Sequence, residues 1–589
     1  MGDDDHEQPD VAKTEGPPSR SGTATSRAAQ LTEHLASPDK NGPNTSRRRR
    51  KPKQDDLPAD YSDILGQLKQ LRTFAANPDP TKTGYVRHRE AGKLWVRDRI
   101  EQLLDKGSFR EVGSVTGKVN WKQTGPLTEE PLDFQPSNNV NGFGELRGRR
   151  ICFSADDFTI RAGHADGALF AKTVYMEQLA LKMKIPIGSS GGGSVTTIVT
   201  NGYAYIPPLQ GAHEIVAQLN AGIPNLGAAL GTAIGLGAAR LVACHFSVMA
   251  GDVGSLFNAG PSVVANATFE EGLSFAELGG PAVHCTNGTI DNLAANEAGC
   301  FEQLRDILSY LPNCGTQIPP CIPGDDPVER LCPELRTLIP RKRERMYDVR
   351  KLITTVVDNG SFFEIGALWG RCAIVGLARL GGKAIGVIAN NAEVLTGALD
   401  AQGSQKITRH LKFCDIFNLP ILQFVDVPGY AIGTVAERTA TMRWGVELWK
   451  TYYTTTIPLF NVVVRKAYGV AGGVMVECRD PHTRVAWPSG EWGSLPLEGG
   501  IEVGHSAELR KVEKEGGLEA RKARYKELET TYRRLMNPVR TANAFSVEEI
   551  IDPAETRSLV SEWCRMVYET ELPERVIRRV TGQLQPVFA

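Results

Sequence analysis

The chain has 589 residues, more than one hydrophobic core usually accommodates, so at least two domains are expected. Lys and Arg number 67 against 68 Asp and Glu, 41% of residues are apolar and 23% are charged. That composition suits an ordinary globular protein and excludes fibrous, disulfide-scaffold and strongly basic nucleic-acid-binding classes. The 11 cysteines form no CxxC pair and have no His at metal-ligand spacing, which reads as reduced thiols and no metal site.

Residues 1–56 hold no Phe, Trp or Tyr and few large aliphatics, so they are expected to be a disordered tail. The basic run Arg47–Arg50, continued by Lys51 and Lys53, reads as a solvated stretch of that tail rather than a polyanion-binding or nuclear-targeting patch. Asp3, Asp4, Asp5 and Glu7 fit neither a transit peptide nor a signal peptide. A cytoplasmic location is expected, with the mitochondrial matrix as the alternative.

In chain order, strands are predicted at Ile151–Phe153, Ile185–Ile187 and Gly227–Gly235, with a helix over Ala171–Met183. The uncharged run Ile223–Ala239 carries Gly227, Gly231 and Gly235 at GxxxG spacing. At 17 residues it is short for a membrane span, and it reads as a buried strand, a glycine turn and a buried helix. Seven prolines between Leu311 and Pro340 suggest a linker. Strands follow at Ala384–Ile388, Ile421–Val425 and Leu459–Val464, with a helix over Ser404–Phe417. The highly charged residues 506–535 suggest a surface helix or helix pair. Strands alternating with helices indicate an α/β or layered α+β architecture.

The chain also repeats itself. Asp105-Lys106-Gly107-Ser108-Phe109 returns 253 residues later as Asp358-Asn359-Gly360-Ser361-Phe362. The offset then drops to 234: Gly148 matches Gly382, Pro186 matches Pro420, Ile223-Pro224 matches Ile457-Pro458, and Gly235-Leu236 matches Gly469-Val470. Pairs in one register argue for a duplicated domain, since the period far exceeds that of a solenoid repeat.

Catalytic motifs of other chemistries are weak. Gly188-Ser189-Ser190-Gly191-Gly192 fits the GxSxG elbow, but a Gly- and Ser-rich run meets that pattern easily and no His is marked as its base. Gly235-Leu236-Gly237 lacks the third glycine of a dinucleotide fingerprint. Ala180-Leu181-Lys182-Met183 is faintly like a biotinylation motif but lies on a predicted helix, so Lys182 is not read as a biotin site. What remains is the repeated element. In each half an apolar strand follows Ile-Pro and runs through Gly235-Leu236-Gly237 or Gly469-Val470-Ala471 into a helix. A glycine turns the backbone sharply, and the next amides leave a helix N-terminus where the dipole favours negative charge. That is how backbone donors form an oxyanion hole. The loop Gly191-Gly192-Gly193 and its counterpart at Gly429 could each supply a further amide. The structural alternative is that these glycines only permit close helix–strand packing. Two such holes without a side-chain nucleophile suit a reaction through two enolate-like species.

The chain resembles the carboxyltransferase (β) subunits of biotin-dependent acyl-CoA carboxylases. The resemblance is carried by Gly92-Lys93-Leu94-Trp95-Val96-Arg97-Asp98-Arg99-Ile100, Glu277-Leu278-Gly279-Gly280, Asp426-Val427-Pro428-Gly429-Tyr430 and Arg465-Lys466-Ala467-Tyr468-Gly469. It implies two crotonase/ClpP-like domains, 57–318 on the acyl-CoA side and 319–589 on the biotin side. It implies a homohexamer whose active sites lie between subunits, and a biotin carboxylase and biotin carrier on a separate chain, with no metal, nucleic acid or membrane partner. By the same resemblance, the Leu236 and Gly237 amides hold the thioester oxygen of an acyl-CoA. Those of Val470 and Ala471 hold the ureido oxygen of carboxybiotin, whose nitrogen takes the substrate proton. Gly191, Gly192, Gly193, Gly235, Gly429 and Gly469 shape the two binding sites. Leu236 and Val470 stand where relatives usually have glycine, Ser189–Ser194 replaces a loop with an acid and a base, and Gly473 replaces a side chain that tunes acyl choice. The alternatives are an acyl-CoA decarboxylase component and an inactive CoA-binding scaffold.

Overall fold

The computed structural model describes residues 57–160, 163, 170–190, 209, 211–342, 345–476 and 483–585. The predicted tail therefore lies outside the described residues, as do Gly191, Gly192 and Gly193.

Two mixed sheets repeat one plan. The first runs in the order Arg110–Val112, Asn139–Leu146, Arg149–Asp156, Ile187–Ser190, Asn225–Ala229, Phe246–Ala250, Asn292–Ala294. The second runs Phe363–Ile365, Ala373–Leu380, Lys383–Asn390, Ile421–Val427, Leu459–Tyr468, Thr483–Ala486, Glu549–Ile550. In both, the first two pairings are antiparallel and the rest parallel. Counterpart strands keep the sequence offset: 139 and 373, 149 and 383, 187 and 421, 225 and 459. The matched turns are built alike. Gly148 and Gly382 both adopt positive φ, and each gives its N–H to the aspartate of the repeated segment, Asp105 at 2.6 Å and Asp358 at 2.8 Å.

Parallel strands are covered on both faces and so read as continuous apolar runs, which is why Ile421–Val427 is buried at every position. Helices Phe170–Met183 and Ala401–Phe417 match their predicted positions, the second capped by Asp400. Lys182 lies in the last turn of the former helix. Residues 506–535 form two helical pieces broken at Gly517, whose φ is 76°. No described helix is long and apolar enough to cross a membrane.

Three local expectations need correction. The predicted strand at Ile185 begins at Ile187, because Pro186 has no N–H for the ladder and instead accepts from Cys152 N at 2.7 Å. The predicted strand Gly227–Gly235 is two: Asn225–Ala229 in the large sheet and Thr232–Ile234, which leaves it to pair with Ser255–Phe257. The proline-rich segment is no loose tether. Leu311, Cys314, Cys332 and Leu335 within it are buried, and residues of both halves share one apolar cluster.

The first half carries one addition, a hairpin of Gly117–Gln123 and Glu129–Pro136 between its first two sheet strands. Helix Ser62–Ala76 braces it, with Gln67 and Gln70 side chains donating to the Glu129 and Pro131 carbonyls at 2.7 and 3.0 Å.

Arg557, fully buried, ties the C-terminal helix Thr556–Met566 to the second half. It pairs with Asp358 at 2.8 Å and Asp326 at 3.2 Å and donates to the Val356 and Pro327 carbonyls. Removing one partner of a buried pair strands the others without compensation. Arg557→Ala is expected to cost about 3–5 kcal/mol, read as a lower urea midpoint for the purified chain.

Candidate active site

Each half ends a strand in a glycine of positive φ. After Thr232–Ile234, Gly235 takes φ 57° and ψ −123°, and helix Leu236–Ala243 starts at once. Gly235 N donates to Phe257 O at 3.4 Å, so the turn itself is tied down. No side chain caps this helix, so its first amides have neither an intrahelical partner nor a side-chain one. In the second half the same turn sits at Gly469, φ 61°, and begins helix Gly469–Val476. Val470 is 66% exposed while Ala471 is buried.

The left-handed position falls on Gly235 and Gly469, not on the residues after them. Leu236 and Val470 lie inside the helices and are absent from the non-glycine residues with positive φ. Their side chains therefore bring no backbone strain, and each still presents an N–H. Gly472, not singled out by the sequence, keeps its helix against the strand, since a Cβ there would meet the Ala467 backbone at 2.5 Å.

Gly429 follows strand Ile421–Val427, neighbour of the strand that leads to Gly469, with Val427 opposite Ala467. Its φ is 141°, space is open around it, and its carbonyl is held by Leu399 N at 3.1 Å. In the first half Ser189 and Ser190 pair with Gly227 and Ala228. The structure thus groups Leu236 with Gly237 and Val470 with Ala471, Gly469 and Gly429, but on two separate sheets. None of the five cavities described is lined by Leu236, Gly237, Val470 or Ala471.

Buried ion pairs fix both turns, and the sequence reading did not single them out. Arg99 donates to Glu297 through Nε at 2.7 Å and Nη2 at 3.0 Å, and its Nη2 also takes the Leu230 carbonyl at 2.6 Å. That carbonyl stands where the chain leaves the large sheet. In the second half Arg465 pairs with Asp426 at 2.9 Å, and Asp426 also accepts from Lys466 N at 3.1 Å and the Tyr347 hydroxyl at 3.0 Å. Burial and the Asp426 charge push the Tyr347 hydroxyl well above its usual range, keeping it a donor. For Asp426 and Arg465 the signal available was a charge within an apolar strand, which needs a partner to be tolerated.

The outer strands are braced differently. His284 Nε2 lies 2.6 Å from Leu256 O in the first half, and Trp492 Nε1 donates to Thr541 Oγ1 at 3.0 Å in the second. Among the described residues no group of His, Cys, Asp and Glu is arranged to hold a metal ion. The described cysteines are free thiols, all buried except Cys321. The chemistry on offer is hydrogen-bond donation from backbone amides at two matched places.

Comparison with known proteins identifies the family. The chain matches the family "Carboxyl transferase domain" over residues 87–580. It is 32% identical over 488 residues to the carboxyltransferase subunit of propionyl-CoA carboxylase from Haloferax mediterranei, covering 81% of this chain and 91% of that one. It is 32% identical to the human mitochondrial propionyl-CoA carboxylase beta chain, with 80% and 84% covered. Among solved structures it superposes on the transcarboxylase 12S hexamer core, with hydrolysed methylmalonyl-CoA bound, at a TM-score of 0.74 and 27% identity, covering 87% of this chain and 97% of that one. The chain belongs to the carboxyl transferase family and is a carboxyltransferase subunit of the biotin-dependent acyl-CoA carboxylase type.

Proposed function

We propose that the two glycine turns are the two oxyanion holes of carboxyl transfer from carboxybiotin to an acyl-CoA. The observation that carries this reading is the doubled turn itself: a left-handed glycine, then unpartnered helix amides, at matched positions of both halves. The Leu236 and Gly237 amides stabilise the thioester oxygen as the neighbouring carbon becomes an enolate. The Val470 and Ala471 amides stabilise the ureido oxygen as its nitrogen loses the carboxyl group. Gly235 and Gly469 set both pairs at the correct angle, and Gly429 borders the second. Carboxybiotin, borne by a separate biotin carrier chain that a biotin carboxylase charges, supplies the carboxyl group. The space for it is supported by Gly429 and Gly473, where an added Cβ would meet nothing within 4 Å.

The acyl-CoA side occupies residues 57–318 and the biotin side 319–589. The two pairs stand on separate halves of the chain, so a second subunit completes each site, as in a homohexamer. Ile432, Val435 and Met442, which follow the Gly429 turn, are 92%, 74% and 61% exposed, an apolar face that a neighbouring copy covers.

The direct test runs the reaction backwards. With a malonyl-type CoA and free biotin, the purified chain is expected to form the decarboxylated acyl-CoA at a rate that rises with biotin. Turnover independent of biotin selects the decarboxylase reading, and CoA binding without turnover selects the scaffold reading.

The holes are tested by deleting one donor each. Proline is tolerated in the first turn of a helix, where it removes only the N–H. Leu236→Pro and Val470→Pro are each expected to lower kcat about 10²–10³-fold with an unchanged circular dichroism spectrum. Wild-type kcat in both variants removes the backbone donors from the mechanism.

A further inference from the structure

The helix assigned to the thioester side, Leu236–Ala243, is tied to a neighbouring helix by an ion pair. Arg240 lies one turn after Leu236, and its guanidinium pairs with the carboxylate of Glu177 on helix Phe170–Met183. The Glu177 side chain is 3% exposed and that of Arg240 18%. Among the described residues Glu177 Oε2 has no hydrogen-bond partner, so this buried carboxylate depends on Arg240. A neutral route joins the same two helices. Gln218 donates to Glu177 O at 2.6 Å, Asn225 Nδ2 donates to Gln218 Oε1 at 3.0 Å, and Cys244 Sγ, directly after the helix, donates to Asn225 Oδ1 at 3.2 Å. Gln218, Asn225 and Cys244 are all buried. Burial pushes the Cys244 thiol up to about 12, which keeps it a donor.

The duplication supplies an internal control. With the offset of 234 that relates Pro186 to Pro420 and Gly235 to Gly469, Glu177 corresponds to Leu411 and Arg240 to Val474. Leu411 lies in helix Ala401–Phe417 and Val474 in helix Gly469–Val476, and both are buried in the apolar cluster. The fold therefore accepts apolar side chains at both places, and a buried ion pair is seldom more stabilising than such packing. The base of the helix also differs between the halves. The strand that leads to Gly469 has 10 residues within the eight-stranded sheet. The strand that leads to Gly235 has 3, in a two-stranded ribbon with Ser255–Phe257. The charged tie occurs in the half whose turn has the weaker footing.

We infer that Arg240 and Glu177 are positioning residues of carboxyl transfer, which fix the tilt of helix Leu236–Ala243 so that the Leu236 and Gly237 amides stay aimed at the thioester oxygen. This rests on the function proposed above. Apolar contacts are non-directional and let a short helix rock, whereas an ion pair sets a direction. Arg240 stands about 6 Å along the helix axis from Leu236. A swing of about 10° about that anchor carries the amides by about 1 Å, and a misplacement of that size can cost about a hundredfold in rate.

The double variant Glu177→Leu/Arg240→Val, which transplants the second half's pair, tests this in the full chain, with kcat and KM read from the biotin-dependent reverse reaction on a malonyl-type CoA. The urea midpoint and the KM for the CoA ester are expected to stay at wild-type values while kcat falls about tenfold or more. Arg240→Lys, which keeps a cation for Glu177, is expected to keep kcat within about threefold of wild type. Wild-type kcat in the double variant, or a urea midpoint that falls in step with kcat, overturns the positioning role and leaves the hole standing. So does an Arg240→Lys enzyme as slow as the double variant. An unchanged kcat in Leu236→Pro, or a wild-type chain without turnover, overturns the hole and the positioning role with it.

Discussion

A parallel strand that must hand its chain to a helix within one residue has few conformations open to it. Gly235 and Gly469 solve that problem with positive φ, a region costly to side chains bearing a Cβ. The consequence is geometric. The helix begins before its first amides can find acceptors within it. The site proposed here builds on that reversal: donors fixed in place with a helix dipole behind them. Leu236 and Val470 can replace glycine because the strained position is one residue earlier.

Such a turn holds its aim only if the strand beneath it cannot slide. Both halves use buried charge for this, but not the same charge. In the first, Arg99 clamps Glu297 and the Leu230 carbonyl together where the chain leaves the sheet. In the second, Asp426 gathers Arg465, the Lys466 amide and Tyr347 around one carboxylate. Buried pairs are weak sources of stability but strong sources of specificity of position when every partner is satisfied, as here. Duplication conserved the backbone solution, while the side chains that support it diverged.

The sequence revealed the architecture through residues that do not depend on neighbours far along the chain. Gly148 and Gly382, Pro186 and Pro420, and Gly235 and Gly469 announce turns by local conformational demand, so their spacing exposed the duplication. The family motifs then pointed to the same turns. Long-range pairing stayed hidden: Arg99 and Glu297 are 198 residues apart, and nothing local in either one names its partner. The break within Gly227–Gly235 was hidden for another reason. The run is apolar throughout, so the transfer of Thr232–Ile234 from one sheet to a separate ribbon changes hydrogen-bond partners without changing hydrophobicity. The proline-rich crossing misled in the opposite direction, because its prolines looked like a tether while Leu311, Cys332 and Leu335 anchor it in the core.

The hairpin Gly117–Pro136 has no equivalent in the second half, which passes from Ile365 to Ala373 without one. Two halves built on one plan offer similar surfaces to a partner. A feature worn by one half alone breaks that degeneracy. Trp121, Leu127 and Leu132 project from the ribbon and are exposed, so the chain has a marked end. A marked end of this kind gives the two halves of the chain distinguishable surfaces.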